Sequence, residues 1–180
     1  MEYSEQKSNS LAARLRAGNR AAAAELVDIY YRQIYIFMRR LGHDSQTSED
    51  LTQESFITAW QHINQLKSGK TINGWMYQIA SNVSRLYWRR HKGSDAVSIE
   101  GMDLPAGVES GSDKSANSEQ VARLKKAVAE LPVKLRQAVV LHYLQHLSIA
   151  EGAEAVGVRK GTFKSRLNRA LRTLESQIDF

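Results

Sequence analysis

Six basic side chains, Arg159, Lys160, Lys164, Arg166, Arg169 and Arg172, fall between Gly157 and Arg172, a stretch without a single acid. Thr162 and Ser165 stand among them. Guanidinium and ammonium groups take phosphate oxygens, and hydroxyls reach phosphates or base edges. That chemistry is recognition of a polyanion rather than bond-making. A second cluster has the opposite sign. Asp44, Glu49, Asp50 and Glu54 lie in eleven residues that contain no Lys or Arg. A third set, Gln78, Asn82, Arg85, Arg89 and Lys92, recurs at offsets 0, 4, 7, 11 and 14, with Tyr77 and Trp88 on the neighbouring stripe. Basic groups beside aromatic ones suit nucleic acid whose bases are free to stack. Both that reading and simple core packing stand for Tyr77 and Trp88, whereas Trp75 is expected to be core. His142 and His146, at i and i+4, have metal-ligand spacing, but no Glu follows His142 and the chain has no thiol. A packed or surface pair is expected there, with no metal and no cofactor.

The elements that must position these groups are helical. Leu147–Arg172 reads as two short helices around a tight turn. Ser148 caps the first, with Glu151 completing a capping box. Gly157 takes the turn. Phe163, Leu167, Ala170, Leu171 and Leu174 form one apolar stripe on the second. A second helix of that kind lies in the major groove of DNA. Upstream, a short helix is expected from Leu11, broken at Gly18-Asn19. A long one follows over Ala21–Leu41, its stripe Leu26, Tyr30, Ile34, Phe37 and Leu41, ended by Gly42. The next opens near Thr47 or Ser48 and runs to about Leu66, with Phe56, Ala59, Trp60 and Ile63 as its buried stripe. Its other face carries Asp50, Gln53, Glu54, Ile57 and Gln61. Two readings stand for those acids: the ordinary preference of acids for a helix N-terminus, or a docking face for a basic protein surface. Residues 67–74 form a loop, and a helix covers Trp75–Lys92. Residues 93–118 hold six Ser, four Gly, five acids and one basic residue, which marks a flexible acidic linker. Beyond it, 119–130 and 131–146 are helical and lead into the turn motif.

The fold class is therefore all-α: two small helical domains, 1–92 and 119–180, joined by the linker. The 180 residues carry a formal net charge of +6, and the 157–172 stretch alone supplies as much. The charge favours a polyanionic partner. Without cysteine there is no disulfide framework or thiolate metal site. No apolar run approaches the roughly 20 residues needed to span a bilayer. The N-terminus lacks a secretory pattern, so a cytoplasmic location is expected.

Two stretches resemble a known family. Ser48–Ile63 (SEDLTQESFITAWQHI) with Ile72–Arg90 (INGWMYQIASNVSRLYWRR), and Leu131–Leu174, are similar in order and spacing to regions two and four of the extracytoplasmic-function (group four) sigma factors of bacterial RNA polymerase. The resemblance covers nearly the whole chain. It implies a transcription initiation factor, not an enzyme, with no small-molecule substrate. Asp50, Gln53, Glu54 and the adjacent Ile57 would dock on the β′ clamp helices of core polymerase, and region four on the β-flap. Lys70, Thr71 and Asn73 would lie where an unstacked base of the minus-ten element is captured. Tyr77, Asn82, Arg85, Trp88 and Arg89 would face minus-ten DNA. Arg159, Lys160, Thr162, Lys164, Ser165, Arg166 and Arg169 would read the minus-thirty-five element of promoter DNA. An anti-sigma factor is an implied partner. The chain departs from the pattern at Gly152, where a bulky aliphatic is usual, and at Phe163, which replaces a usual Val and is placed to fill the space. The Arg159-Lys160 pair is also more basic than usual. A stand-alone helix-turn-helix regulator and a carboxylate-dependent nuclease are the competing readings. The first lacks the strand–helix alternation of a receiver domain, and the second a third ligand or Lys base at fixed spacing.

Overall fold

A computed structural model describes residues 2–66, 72–91 and 114–177. Lys70, Thr71 and residues 93–113 of the expected linker lie outside the described residues. Among the described residues there are helices and no strands: α1 (Glu2–Arg16), α2 (Arg20–Arg40), α3 (Ser45–Gln61), α4 (Ile72–Arg90), α5 (Lys114–Glu130), α6 (Val133–Val139), α7 (Ile149–Ala155) and α8 (Lys160–Gln177). A 3-10 turn (Ile63–Gln65) follows α3, and a π turn (Val140–Leu144) continues α6. Residues 114–118, read as linker from composition, already belong to α5, and α1 begins nine residues before Leu11. Their polar sequences carry no apolar period, which is why periodicity passes over them.

Local chemistry sets the helix starts. Asn19 Oδ1 accepts the Ala22 N–H at 3.1 Å and opens α2. Asp44 opens α3, three or four residues earlier than periodicity suggests. Its carboxylate accepts the Thr47 N–H at 2.9 Å and the Thr47 hydroxyl at 2.6 Å. These bonds hold Asp44 below the usual carboxylate range. At α7 the capping box is complete: Ser148 Oγ accepts the Glu151 N–H, and the Glu151 carboxylate accepts the Ser148 N–H. Gly157 turns the chain at φ 67°, a conformation that disfavours a Cβ.

The α3 core face differs from expectation. Ser48, Leu51, Thr52, Ser55 and Ala59 are buried, while Trp60 is 46% exposed and Phe56 and Ile63 are only partly covered. The hydroxyls of Thr52 and Ser55 donate to the carbonyls of Ser48 and Leu51, four residues back, at 2.6 and 2.7 Å. Satisfied on their own helix, these small side chains pack as apolar ones. They let α2 and α4 lie close against α3, and the larger Trp60 turns outward.

The two helical halves pack on each other. One continuous core joins Phe37, Met76 and Tyr77 of the first half to Leu141, Leu147 and Ala153 of the second. A smaller cluster of Val128, Leu131, Val139, Ala170 and Leu174 ties α5, α6 and α8 together. Phe163 is fully buried against α7, and Gly152 is the reason it fits. A Cβ at 152 would meet Phe163 Cζ at 2.3 Å. The helix-weakening glycine and the oversized aromatic are therefore one packing unit.

Two outcomes follow. Asp44→Ala should lower stability by about 1 kcal/mol, as loss of an N-cap does. Because the carboxyl of Asp44 is depressed in the folded chain, its contribution is present above its unfolded pKa and lost as pH falls through the folded value. Thermal melts of wild type and variant should therefore converge in strong acid. Gly152→Ala gains about 1 kcal/mol of helix propensity but forces an overpacked ring, which costs about 1–3 kcal/mol. A net loss of stability is expected, with recovery in the Gly152→Ala/Phe163→Val double variant; chemical denaturation measures both.

Candidate nucleic-acid and polymerase interfaces

The acidic face lies on α3. Asp50, Gln53, Glu54 and Ile57 are all exposed, Ile57 at 58%. Since α3 starts at Ser45, only Asp44 is accounted for as a cap. Asp50 and Glu54 lie in the second and third turns, beyond the reach of the helix-terminal field. Trp60 adds a second large apolar side chain to the same side, although the sequence pattern places it in the core. Tyr31 of α2, itself 37% exposed, stacks on Phe56 at 6.2 Å and extends the apolar ground. Exposed apolar groups ringed by carboxylates have the composition of a protein-docking face.

Helix α4 presents two different edges. Arg85 and Arg89 are exposed, and Asn82 is half-buried with its Oδ1 accepting from Arg85 Nη2 at 2.8 Å. Asn73, also half-buried, falls in the first turn of α4, inside the segment expected to be loop. Between α3 and α4 a cleft of about 300 Å³ is lined by Glu54, Thr58, His62, Gln78, Asn82 and Leu86, with Trp75 in its wall. The other edge is covered. Tyr77 is 2% exposed, its ring edge-on to Phe37 at 5.3 Å and its hydroxyl donating to Gln145 Oε1 at 2.8 Å. Burial pushes the Tyr77 hydroxyl far above the usual phenol range. Trp88 is half-buried, stacked on His43 at 4.7 Å, and His43 Nε2 bonds to Ser84 Oγ at 2.8 Å. In this arrangement Tyr77 is packed in the core, and Trp88 has His43 stacked on its ring.

Arg136 of α6 carries no signal in the sequence pattern. It is 2% exposed, donates to the Ala129 carbonyl at 2.8 Å, and lies 5.8 Å from the Trp88 ring centre. Burial lowers its pKa to about 10. Flanked by Lys134 and Gln137, a buried arginine reads in the sequence as one more polar position of the helix.

The basic helix α8 is arranged as its sequence suggests. Phe163, Leu167, Ala170 and Leu174 are buried. Arg159, Lys160, Thr162, Lys164, Ser165 and Arg169 are exposed, and Arg166 is half-covered. The His142/His146 pair forms no metal cluster among the described residues. His142 Nδ1 is 2.7 Å from the Leu147 carbonyl, and the His146 backbone lies in the left-handed region at φ 56°. Among the described residues no helix is long and apolar enough to cross a membrane.

Comparison with known proteins agrees with this geometry. The family model for Sigma-70 region 2 matches residues 26–93 and that for Sigma-70 region 4 matches 122–174. The ECF RNA polymerase sigma factor SigM of Bacillus subtilis (strain 168) is 30% identical over 154 residues, 84% of this chain and 92% of that protein. SigW of the same organism is 27% identical over 173 residues, 91% and 92% of the two chains. Among solved structures, the sigma factor RpoE of Bartonella quintana, in a co-crystal with the anti-sigma factor NepR, superposes with a TM-score of 0.61 at 25% identity, covering 86% of this chain and 94% of that one. CnrH, solved with the cytosolic domain of CnrY, shares the fold with a TM-score of 0.69 at 21% identity, over 94% and 95% of the chains. The chain belongs to the sigma-70 family and, within it, to the ECF RNA polymerase sigma factors.

Proposed function

We propose that the chain binds core RNA polymerase through the acidic face of α3 and directs it to promoters through α4 and α8. One observation carries the reading: a single chain exposes an acid-ringed apolar face and, separately, a basic helix seated in a turn motif. A face of carboxylates repels DNA, so it needs a protein partner; the basic helix needs the nucleic acid.

Asp50, Gln53, Glu54 and Ile57, with Trp60 beside them, dock on the β′ clamp helices, and the second half sits on the β-flap. Arg159, Lys160, Lys164 and Arg169 take phosphates of the minus-thirty-five duplex, while Thr162 and Ser165 reach base edges. Arg166 supports the same surface from the half-covered side. On α4, Asn73, Asn82, Arg85 and Arg89 meet the minus-ten strand, with Lys70 and Thr71 contributing from the adjoining loop. The cleft between α3 and α4 is roomy enough for one unstacked base. Loss of base stacking is then offset by new contacts. Tyr77 and Trp88 join that surface once the second half moves away. Core polymerase sets the spacing of the two DNA surfaces and raises the effective concentration of the second contact. The protein makes no covalent bond itself, works in the cytoplasm, and is held in check by an anti-sigma protein of the kind seen with the Bartonella relative.

Glu54→Lys should weaken binding to core polymerase by more than about tenfold, the scale for reversing a charge in a complementary interface, with the circular dichroism spectrum unchanged. Unaltered affinity would remove α3 as the docking face. Replacing Arg166 and Arg169 by Ala should weaken promoter-duplex binding and lower the log-affinity versus log-salt slope by about 0.9 for each phosphate no longer neutralised. A salt titration that leaves both quantities in place would mean that another face of α8 meets DNA.

A further inference from the structure

Helix α8 has a crest as well as a buried face. Phe163, Leu167, Ala170 and Leu174 are buried. On the opposite side, at offsets 0, 4, 7 and 11, run Gly161, Ser165, Asn168 and Arg172, all exposed. This ridge points directly away from the buried face, so it would enter a groove deepest. Its leading position carries no side chain.

A glycine inside a helix needs a reason. Compared with Ala it leaves the unfolded chain more freedom to lose, and it weakens the helix. Elsewhere in the chain the reasons are visible. Gly18, Gly42 and Gly157 sit at positive φ, and Gly152 makes room for Phe163. Gly161 has neither reason. It lies within α8 without a positive φ, and a Cβ built there meets no other part of the fold within 4 Å. Nor does it serve as the cap. The Arg159 carbonyl already accepts the Phe163 N–H at 3.0 Å, so the helix has begun before Gly161 is reached. The free chain makes no use of the missing methyl, and a partner that comes close would. Lys160 and Lys164, both exposed, stand on either side, and no acid lies between Gly157 and Arg172. The partner that fits such a surface is a polyanion.

The next two residues of the ridge are Ser165 and Asn168. A hydroxyl and an amide both bond to base edges in the major groove. Both side chains are short. They reach the bases only if the helix backbone seats close to the floor of the groove, and a methyl at the leading end of the ridge would hold it off.

We propose that Gly161 is a clearance position: its missing side chain lets α8 seat against duplex DNA closely enough for Ser165 and Asn168 to read base edges. This rests on α8 being the duplex-reading helix. Asn168, which carries no charge to mark it, thereby becomes a specificity-determining residue. The lysines and arginines around the ridge supply affinity for any sequence, and the clearance supplies preference among sequences.

Gly161→Ala removes the clearance without touching charge. The full chain is titrated with two probes, a duplex enriched from a random-sequence pool by the wild-type chain and an unselected mixed-sequence duplex. Affinity of the variant for the enriched duplex should fall about tenfold, the scale of one lost base-edge contact. Affinity for the mixed duplex should stay within about twofold, with the log-affinity versus log-salt slope unchanged, because no phosphate contact is lost. The Tm of the same variant should rise by about 1–4 °C. Opposite signs in stability and recognition separate lost clearance from a damaged fold. Asn168→Ala should show a similar loss on the enriched duplex. Combined with Gly161→Ala it should add little, since a helix held off the groove has no use for the amide. Unchanged affinity of Gly161→Ala for the enriched duplex, an equal loss on both duplexes, or a lowered Tm would overturn the clearance. If replacing Arg166 and Arg169 by Ala also leaves duplex binding in place, the DNA reading of α8 fails and the clearance falls with it. If that replacement weakens binding while Gly161→Ala does not, the clearance alone is lost.

Discussion

Helix α4 has to satisfy partners on opposite sides at once, and much of the molecule follows from that constraint. Trp75, Met76, Ile79 and Val83 hold it in the first half. Tyr77, Ser81 and Ser84 lie on the stripe turned toward the second half and His43. What remains for solvent is a narrow edge of Asn82, Arg85 and Arg89. A helix with so little free surface cannot be optimised for one neighbour alone. Its small residues, Gly74, Ala80, Ser81 and Ser84, are the concession: they allow close approach on several sides while giving up buried apolar area.

The same trade appears in α3. A core face of Ser, Thr and Ala buries less apolar surface than Leu or Ile would, yet it brings α2 and α4 near enough for their large side chains to meet. The large apolar residues of α3, Ile57 and Trp60, are thereby released to the outside, next to the carboxylates. Charge and burial are thus divided cleanly between the two faces of one helix, and the outward face is ready for a partner without any rearrangement of the core.

Much of this is readable from residue types. The α8 stripe, the α7 capping box, the Gly157 turn and the pairing of Gly152 with Phe163 depend on neighbours in sequence or on one helix packing on the next, and local chemistry announces them. The exposed acids of α3 are also visible, although their meaning depends on where the helix begins, which the Asp44 cap decides. The departures share a cause. Size and apolarity point Trp60 inward, and polarity points Ser48, Thr52 and Ser55 outward; hydroxyls satisfied on their own helix at Thr52 and Ser55, and on the His43 carbonyl at Ser48, reverse both assignments. Tyr77, Trp88 and Arg136 depend on contacts between halves separated by dozens of residues, and no periodicity within one helix encodes those. Of the candidate DNA residues, those on α8 other than the half-covered Arg166 keep the exposure that their spacing suggests, while those on α4 divide into an open and a covered edge.

The Gly152–Phe163 pair bears on how such a protein diverges or is re-engineered. Recognition helices are attractive units to exchange between relatives when a new promoter preference is wanted. Here the helix cannot travel alone. Its aromatic needs a missing side chain on the preceding helix, and a graft into a scaffold with an aliphatic at that place would start from a steric conflict. The natural unit of exchange is therefore the two-helix block from Ser148 to Leu174, and the positions free to change without an answering neighbour are those on the outer face of α8.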